Sequence, residues 1–363
     1  MSQPLPAIQE WFDARTHVRE EFLARTGWDK ARLSAVGEDS AFRRYFRLCM
    51  GESRNAILME AMPDGSAYAT PGHSMKDFIR ISEYMRGLGL KAPEIFEADI
   101  EEGYLLLEDF GNTSFKMALD ARTSRRDLYE LATDVLKFLR ESARADDIAL
   151  PEYYASHVHT GRRRLVDWFM PAQKGMVNPD GLAEEYLGVW DDIEKSLPPV
   201  PRGFLHIDYH FENLMWMPNK VDKDRCGILD FQGAMAGPVP YDLANLLEDA
   251  RVDVPSDLRH AMLDRFCMGM NADEEENFRD WYRVLATQFH CRVLGQFIRL
   301  AVRDNKPRYL QHLPRVAGYI EEGLKDPVLA PLKAWLNCHG VSFTNLPPLD
   351  PARIKPLIRP DAF

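Results

Sequence analysis

Apolar residues recur at helical spacing over residues 6 to 26, where Ile8, Trp11, Phe12, Val18, Phe22 and Leu23 share one side of a single amphipathic helix. The period then shortens to two. Leu33 to Val36 reads as a strand, Gly37 to Ala41 as a turn, and Phe42 to Leu48 alternates as the next strand. Gly51 to Asn55 turns again before the strand Ala56 to Glu60. Met75 to Leu88 is a helix that stops at Gly87 and Gly89. Ile95 to Asp99 and Tyr104 to Glu108 form a hairpin around Glu101 to Gly103. Strands, one helix and more strands make a small mixed sheet lobe.

Past Leu105 to Gly111 the pattern turns helical. Arg126 to Glu141, Ala155 to Phe169, Leu182 to Ser196, Tyr241 to Ala250, Asp257 to Met268, Phe278 to Val302 and Pro314 to Leu324 are periodic and long enough for helices. From Val341 on, Pro347, Pro348, Pro351, Pro356 and Pro360 predict an extended strap over the surface. The expected fold is α+β and bilobal: a β-rich lobe with its leading helix over 1–107, a helical lobe over 108–340, and a Pro-rich tail over 341–363.

A length of 363 residues suits two or three lobes. A net charge of −11 argues against nucleic acid as the main partner, because a phosphate backbone demands a basic face. The five cysteines are scattered and never C-x-x-C, so neither a disulfide framework nor a zinc site follows, and a reducing cytoplasm fits. No secretory signal is visible at the N-terminus, and no run approaches the apolar length that spans a membrane.

The densest chemistry lies in Phe204 to Asn213. His206, Asp208, His210 and Asn213 form H-x-D-x-H-x-x-N, and Asp230 comes 17 residues after Asn213, at the end of the apolar run Cys226 to Leu229. Phosphoryl transfer from ATP uses these groups: a carboxylate to take the proton of the attacking hydroxyl, and an amide with a second carboxylate to hold magnesium. Asp208 is the candidate base, Asn213 and Asp230 the candidate metal ligands. G-x-S-x-G and H-E-x-x-H are both missing, which speaks against a hydrolase or zinc enzyme.

This segment resembles the catalytic loop of the aminoglycoside phosphotransferase family, small-molecule kinases with the protein-kinase-like fold, where the loop usually reads H-G-D-x-H-x-x-N. Ile207 stands in place of that glycine. Gly233 to Ala244, with its G-P-x-x-Y-D-L-A ending, resembles the segment after the metal carboxylate in the same family. The resemblance implies ATP and Mg2+, a structural His206, an Asp242 that braces the loop, and an adenine-binding hinge at Leu107 to Phe110, including Glu108 and Phe110; Asp242, opening an apolar helix after two prolines, is also expected to act partly as its N-cap. Ser40 in the Gly37 to Ala41 turn is the candidate hydroxyl over the phosphates. Phe42 to Arg47, the strings around Asp230 and Asp304 to Val316 resemble one subgroup, the bacterial anomeric kinases for N-acetylmuramate and N-acetylglucosamine that serve cell-wall recycling.

The family lysine on the strand after the phosphate turn is missing from Asn55 to Ala61. Alternation puts Arg44 on the apolar side with Phe42 and Phe46, where a guanidinium needs an anion. Arg44 is therefore the candidate phosphate ligand, with Arg47 or Arg43 as alternates. His210 and Gln232 are candidate acceptor contacts. For an amino sugar, Trp168, Trp216, Tyr153, Tyr154, Arg162 to Arg164 and Arg299 are also available. Other hydroxyl acceptors (an aminoglycoside, choline, a hydroxyl amino acid) and a nucleotide-binding pseudokinase stay open.

Overall fold

The computed structural model describes residues 5–38, 43–51, 54–63, 66, 74–344, 346 and 349–362. By packing, the chain falls into two units: Met1–Leu131 with Phe211–Ala234, and Ala132–His210 with Met235–Phe363.

The first unit carries a sheet of β1 (Arg32–Glu38), β2 (Arg44–Met50), β3 (Arg54–Glu60), β4 (Ile95–Asp99) and β5 (Tyr104–Leu107). Every neighbouring pair is antiparallel, in the order β1-β2-β3-β5-β4. The register sets Arg44 opposite Glu60 and Leu58 opposite Leu106. Alternate residues Leu48, Ala56, Leu58, Tyr104 and Leu106 bury one face against Phe22, Leu23 and Trp28. Each large apolar side chain contributes roughly 1.5–3 kcal/mol on leaving water. Gly103 turns the β4–β5 hairpin at φ +85°, and a Cβ there would lie 2.1 Å from the Ala61 carbonyl oxygen.

The helix Met75–Gly87 buries Met75, Phe78, Ile81 and Met85, and Ser74 caps it by accepting the N–H groups of Lys76 and Asp77. The single helix expected over 6 to 26 is instead two, Leu5–Ala14 and Thr16–Arg25. The break falls at Arg15, whose guanidinium reaches the Glu102 carbonyl and carboxylate at 2.6 Å. Thr16 Oγ1 meanwhile donates to the Asp13 carbonyl.

Four short strands come later in the chain: β6 (Arg202–Leu205), β7 (Leu214–Trp216), β8 (Cys226–Ile228) and β9 (Met235–Pro238). β7 pairs with β8 in the first unit, and β6 with β9 in the second.

The second unit is built around the helix Ala272–Arg303, which Asn271 and Glu274 start with a capping box. Trp168, Phe169, Tyr186, Trp190, Leu285, Leu294, Ile298, Val316 and Ile320 belong to its core. Ala155 to Phe169 does not form the one helix expected. Ser156 starts a new turn by accepting the N–H groups of Val158 and His159, and Leu165–Phe169 winds as a π-turn. There the backbone touches the long helix at Gly295, where a Cβ would lie 2.0 Å from the Arg164 carbonyl oxygen. Only glycine admits that approach.

The tail is not an extended strap. Pro351–Ile354, Lys355–Leu357 and Pro360–Ala362 are helical turns, and Val341, Phe343, Ile354 and Ile358 are buried in the core of the second unit. Proline at a first helical turn loses no hydrogen bond, so the prolines start these turns instead of forbidding them. No helix among the described residues is long and apolar enough to cross a membrane.

Candidate active site

A cavity of about 740 Å³ lies in the first unit. Ile57, Phe78, Leu107, Phe110, Met215 and Leu229 supply its apolar lining, and Arg47, Glu108, Asp109, Asn213, Asp230 and Gln232 its polar lining. The size and the mixture suit a small organic ligand held by a few convergent polar groups. Phe110 packs with Met215, Met217 and Leu229, and Gly227 makes room for it: a Cβ there would lie 2.6 Å from Phe110 Cδ2.

The segment after β5 is held from both sides. Arg47 donates to both carboxylate oxygens of Asp109, at 2.5 and 2.8 Å, and to the Gly111 carbonyl at 2.8 Å, and it also bonds Asn112. The bond to Asp109 pushes the Arg47 pKa up, against its partial burial. Glu108 pairs with Lys91 at 2.5 Å, and its N–H donates to the Glu94 carbonyl. The Glu108 N–H of the expected hinge is therefore already engaged. Ser114 caps the next helix by accepting the Met117 N–H.

β7 and β8 set the two expected metal ligands side by side. Asn213 precedes β7, Asp230 lies just beyond β8, and the Asn213 carbonyl accepts the Leu229 N–H at 2.9 Å. Asn213 Nδ2 stands 3.4 Å from Asp230 Oδ2, and Gln232 Nε2 donates to Asp230 Oδ1 at 2.6 Å. Gln232, expected at the acceptor, lines the cavity and donates to this carboxylate. Asp230 takes φ +60°, which aspartate tolerates better than most residues. One carboxylate with one amide oxygen is a hard, oxygen-only set that suits magnesium, which completes its shell with water and phosphates.

The arginines divide as the alternation requires, but with different partners from those expected. Arg44 is held by Glu60, with Nε and Nη2 at 2.9 and 2.6 Å from Oε2, and lies over the Phe12 ring at 4.2 Å. The anion its burial demands is a protein carboxylate, and Arg44 is not among the residues lining the cavity. Tyr45 and Arg47 line it, from the other side of β2. Arg43, just before β2, is 4% exposed at its side chain, with Nη2 3.6 Å from Asp230 Oδ1. Ser40 lies outside the described residues.

In the second unit, Asp242 accepts the N–H groups of His206 and Ile207 at 2.6 and 2.8 Å. It braces the loop from inside the helix Pro240–Leu247 and does not cap that helix, whose N-cap is Val239. Burial lifts the Asp242 pKa to about 7; the two N–H bonds pull it down and Asp208 pushes it up. Ile207 sits at φ +78°, a strained region for a β-branched residue. Its N–H is held by Asp242 and its carbonyl by Asn245 Nδ2 at 3.0 Å, which enforces the turn that the family glycine would make freely. His206 is buried with its ring edge-on to Tyr209. Asp208 is exposed, and its carbonyl accepts the His210 N–H. Burial, with the charges of Arg251 and His206, holds the His210 pKa well below its ordinary value, so its ring is neutral at pH 7. Arg292 donates to the Tyr241 hydroxyl at 3.0 Å. Burial opposes its charge, but Tyr241, Asp208 and Tyr153 more than offset that.

Residues 32–284 match the phosphotransferase enzyme family. The chain is 30% identical over 350 residues to the N-acetylmuramate/N-acetylglucosamine kinase of Caulobacter vibrioides, across 89% of this chain and 96% of that protein. It is 31% identical over 324 residues to the protein of the same name from Pseudomonas aeruginosa, across 86% and 90%. Among solved structures, a choline/ethanolamine kinase family protein from Mesorhizobium loti superposes with a TM-score of 0.57 at 12% identity, over 91% of this chain and 99% of that one. The GDP complex of an aminoglycoside 2'-phosphotransferase gives 0.55 at 13%, over 90% and 99%. These likenesses establish the protein-kinase-like fold.

Proposed function

This chain belongs to the phosphotransferase enzyme family and so transfers a phosphoryl group to a hydroxyl; from that premise we propose that it moves the γ-phosphate of ATP, with magnesium, to the anomeric hydroxyl of an N-acetyl amino sugar. The observation that carries the acceptor is the likeness, along nearly the whole chain, to kinases of N-acetylmuramate and N-acetylglucosamine. The setting that fits is the cytoplasmic recycling of peptidoglycan fragments.

The sugar O–H attacks the γ-phosphorus, the bond to the β,γ-bridging oxygen breaks, ADP leaves, and Asp208 takes the proton. In a loose transition state the proton moves late, so the main duty of Asp208 is to orient the hydroxyl. Asn213 and Asp230 would hold magnesium, which neutralises phosphate charge when bound. Phe110, Met215 and Leu229 would wall the adenine, and the Arg47–Asp109 clamp keeps the segment of Phe110 in place.

The absent lysine is the strongest ground for a pseudokinase. Arg43 supports the active reading, because it delivers a buried cation beside Asp230 from just before β2. An arginine is always charged and matches phosphate bidentately, so it serves as the substitute. ADP release with N-acetylmuramate, N-acetylglucosamine, choline and kanamycin tests the proposal. Turnover of the two N-acetyl sugars, lost in Asp208→Asn with ATP binding kept, is the expected result. Turnover of choline or kanamycin alone would overturn the acceptor.

A further inference from the structure

Three arginines of the second unit form no ion pair among the described residues, although their neighbours do. Arg162 pairs with Glu194 and Asp191, Arg163 with Asp167, and Arg303 with Asp304. Among the described residues Arg164 and Arg299 make no hydrogen bond or ion pair, and Arg292 hydrogen-bonds the Tyr241 hydroxyl and lies over the Phe289 ring at 5.5 Å. The Arg292 Nε is buried without an acceptor there.

These side chains converge. A Cβ placed on Gly161 would lie 3.1 Å from Arg164 Nη1 and 3.3 Å from Arg292 Cδ, so the Arg164 guanidinium and the Arg292 stem meet over a glycine that leaves them room. Arg299 comes seven residues after Arg292 on the helix Ala272–Arg303, two turns along the same face. Burial and repulsion from Arg292, Arg299 and Arg303 together pull the Arg164 pKa down to about 10, against a weaker pull upward from Asp167. Clustered, half-buried guanidiniums repel one another unless an anion joins them. The cluster is also near the proposed base, since Arg292 and Tyr241 both feel the Asp208 charge.

Resting on the amino-sugar reading, we propose that Arg164, Arg292 and Arg299 form a subsite for a carboxylate carried by the acceptor sugar. The chain then favours a carboxylate-bearing N-acetyl amino sugar over its neutral counterpart, through binding rather than through the chemical step. The guanidinium fork fits a carboxylate bidentately, and such charge-assisted bonds are roughly twice as strong as neutral ones.

The test is kcat and KM for N-acetylmuramate, its methyl ester and N-acetylglucosamine, in the wild type, Arg164→Gln, Arg164→Lys and Arg299→Gln. The expected wild-type KM is lowest for the free acid. Arg164→Gln raises that KM about tenfold, the loss of one charged contact, and leaves kcat within about twofold. The ester and N-acetylglucosamine change by less than about twofold, and Arg164→Lys recovers part of the loss. Equal effects on all three sugars, or no wild-type preference for the acid, overturn the subsite while the kinase reading stands. A wild type that turns over none of the three overturns the amino-sugar reading, and the subsite with it.

Discussion

Replacing Arg44 with methionine separates a structural arginine from a nucleotide ligand. The apolar stem stays over Phe12, while the bonds to Glu60 at 2.9 and 2.6 Å and the longer pair with Asp13 at 3.4 Å disappear. Glu60, 1% exposed, keeps the Tyr104 hydroxyl at 3.1 Å and Arg19 at 3.6 Å. Stripping one partner from a buried ion pair costs about 3–5 kcal/mol. Two surviving partners put the expected loss at the lower end, about 3 kcal/mol. At about 2–4 °C per kcal/mol for units of 150–250 residues, the melting of the first unit should fall by about 6–12 °C. Calorimetry of Arg44→Met reads this directly. Adding Glu60→Gln should recover more than half the loss, because the stranded charge goes with it. The KM for ATP should stay within about twofold. Wild-type melting combined with a raised KM for ATP would refute the reasoning and return Arg44 to the phosphates.

Arg43→Ala should instead lower kcat/KM for ATP by about 100-fold, the usual cost of removing one charge-stabilising donor, with Arg43→Lys in between; unchanged ATP kinetics would remove Arg43 from the phosphate site. Gly227→Ala forces Phe110 aside at a packing cost of about 1–3 kcal/mol, and nucleotide affinity measured by titration calorimetry should drop; unchanged affinity would mean that Phe110 is no adenine wall. The folded pKa of Asp242, about 7, is raised above its unfolded value. Its stabilising contribution is therefore fully present below about pH 4 and is lost as pH rises through about 7. Urea unfolding from pH 4 to 8 should show the wild type losing up to roughly 4 kcal/mol relative to Asp242→Asn; parallel curves would contradict that burial effect.

The local parts of this protein were legible in its sequence because their signals are local. The loop from His206 to Asn213 declares itself by spacing and the strand before Asp230 by its apolar run, while the brace at Asp242 is what the family resemblance implies. The helices over 75–87 and 182–196 declare themselves by period. The parts that were not legible depend on partners far along the chain. Arg44 was correctly placed on a face that needs an anion, but only the β2–β3 register reveals that Glu60 supplies it. The breaks at Arg15 and Ser156 come from a side chain reaching Glu102 and from a hydroxyl that starts a new turn. Ile207 looked like a small departure from glycine, yet the turn keeps its positive φ, enforced by Asp242 and Asn245. The role of Gln232 beside Asp230 comes from neither period nor motif.

The most direct measurement is phosphorus NMR of the product made from N-acetylmuramate, ATP and magnesium. A new phosphate resonance coupled to the anomeric proton of the sugar, absent with Asp208→Asn, is the expected result. Phosphate on any other hydroxyl, or ATP consumed with no sugar phosphate formed, would contradict an anomeric amino-sugar kinase.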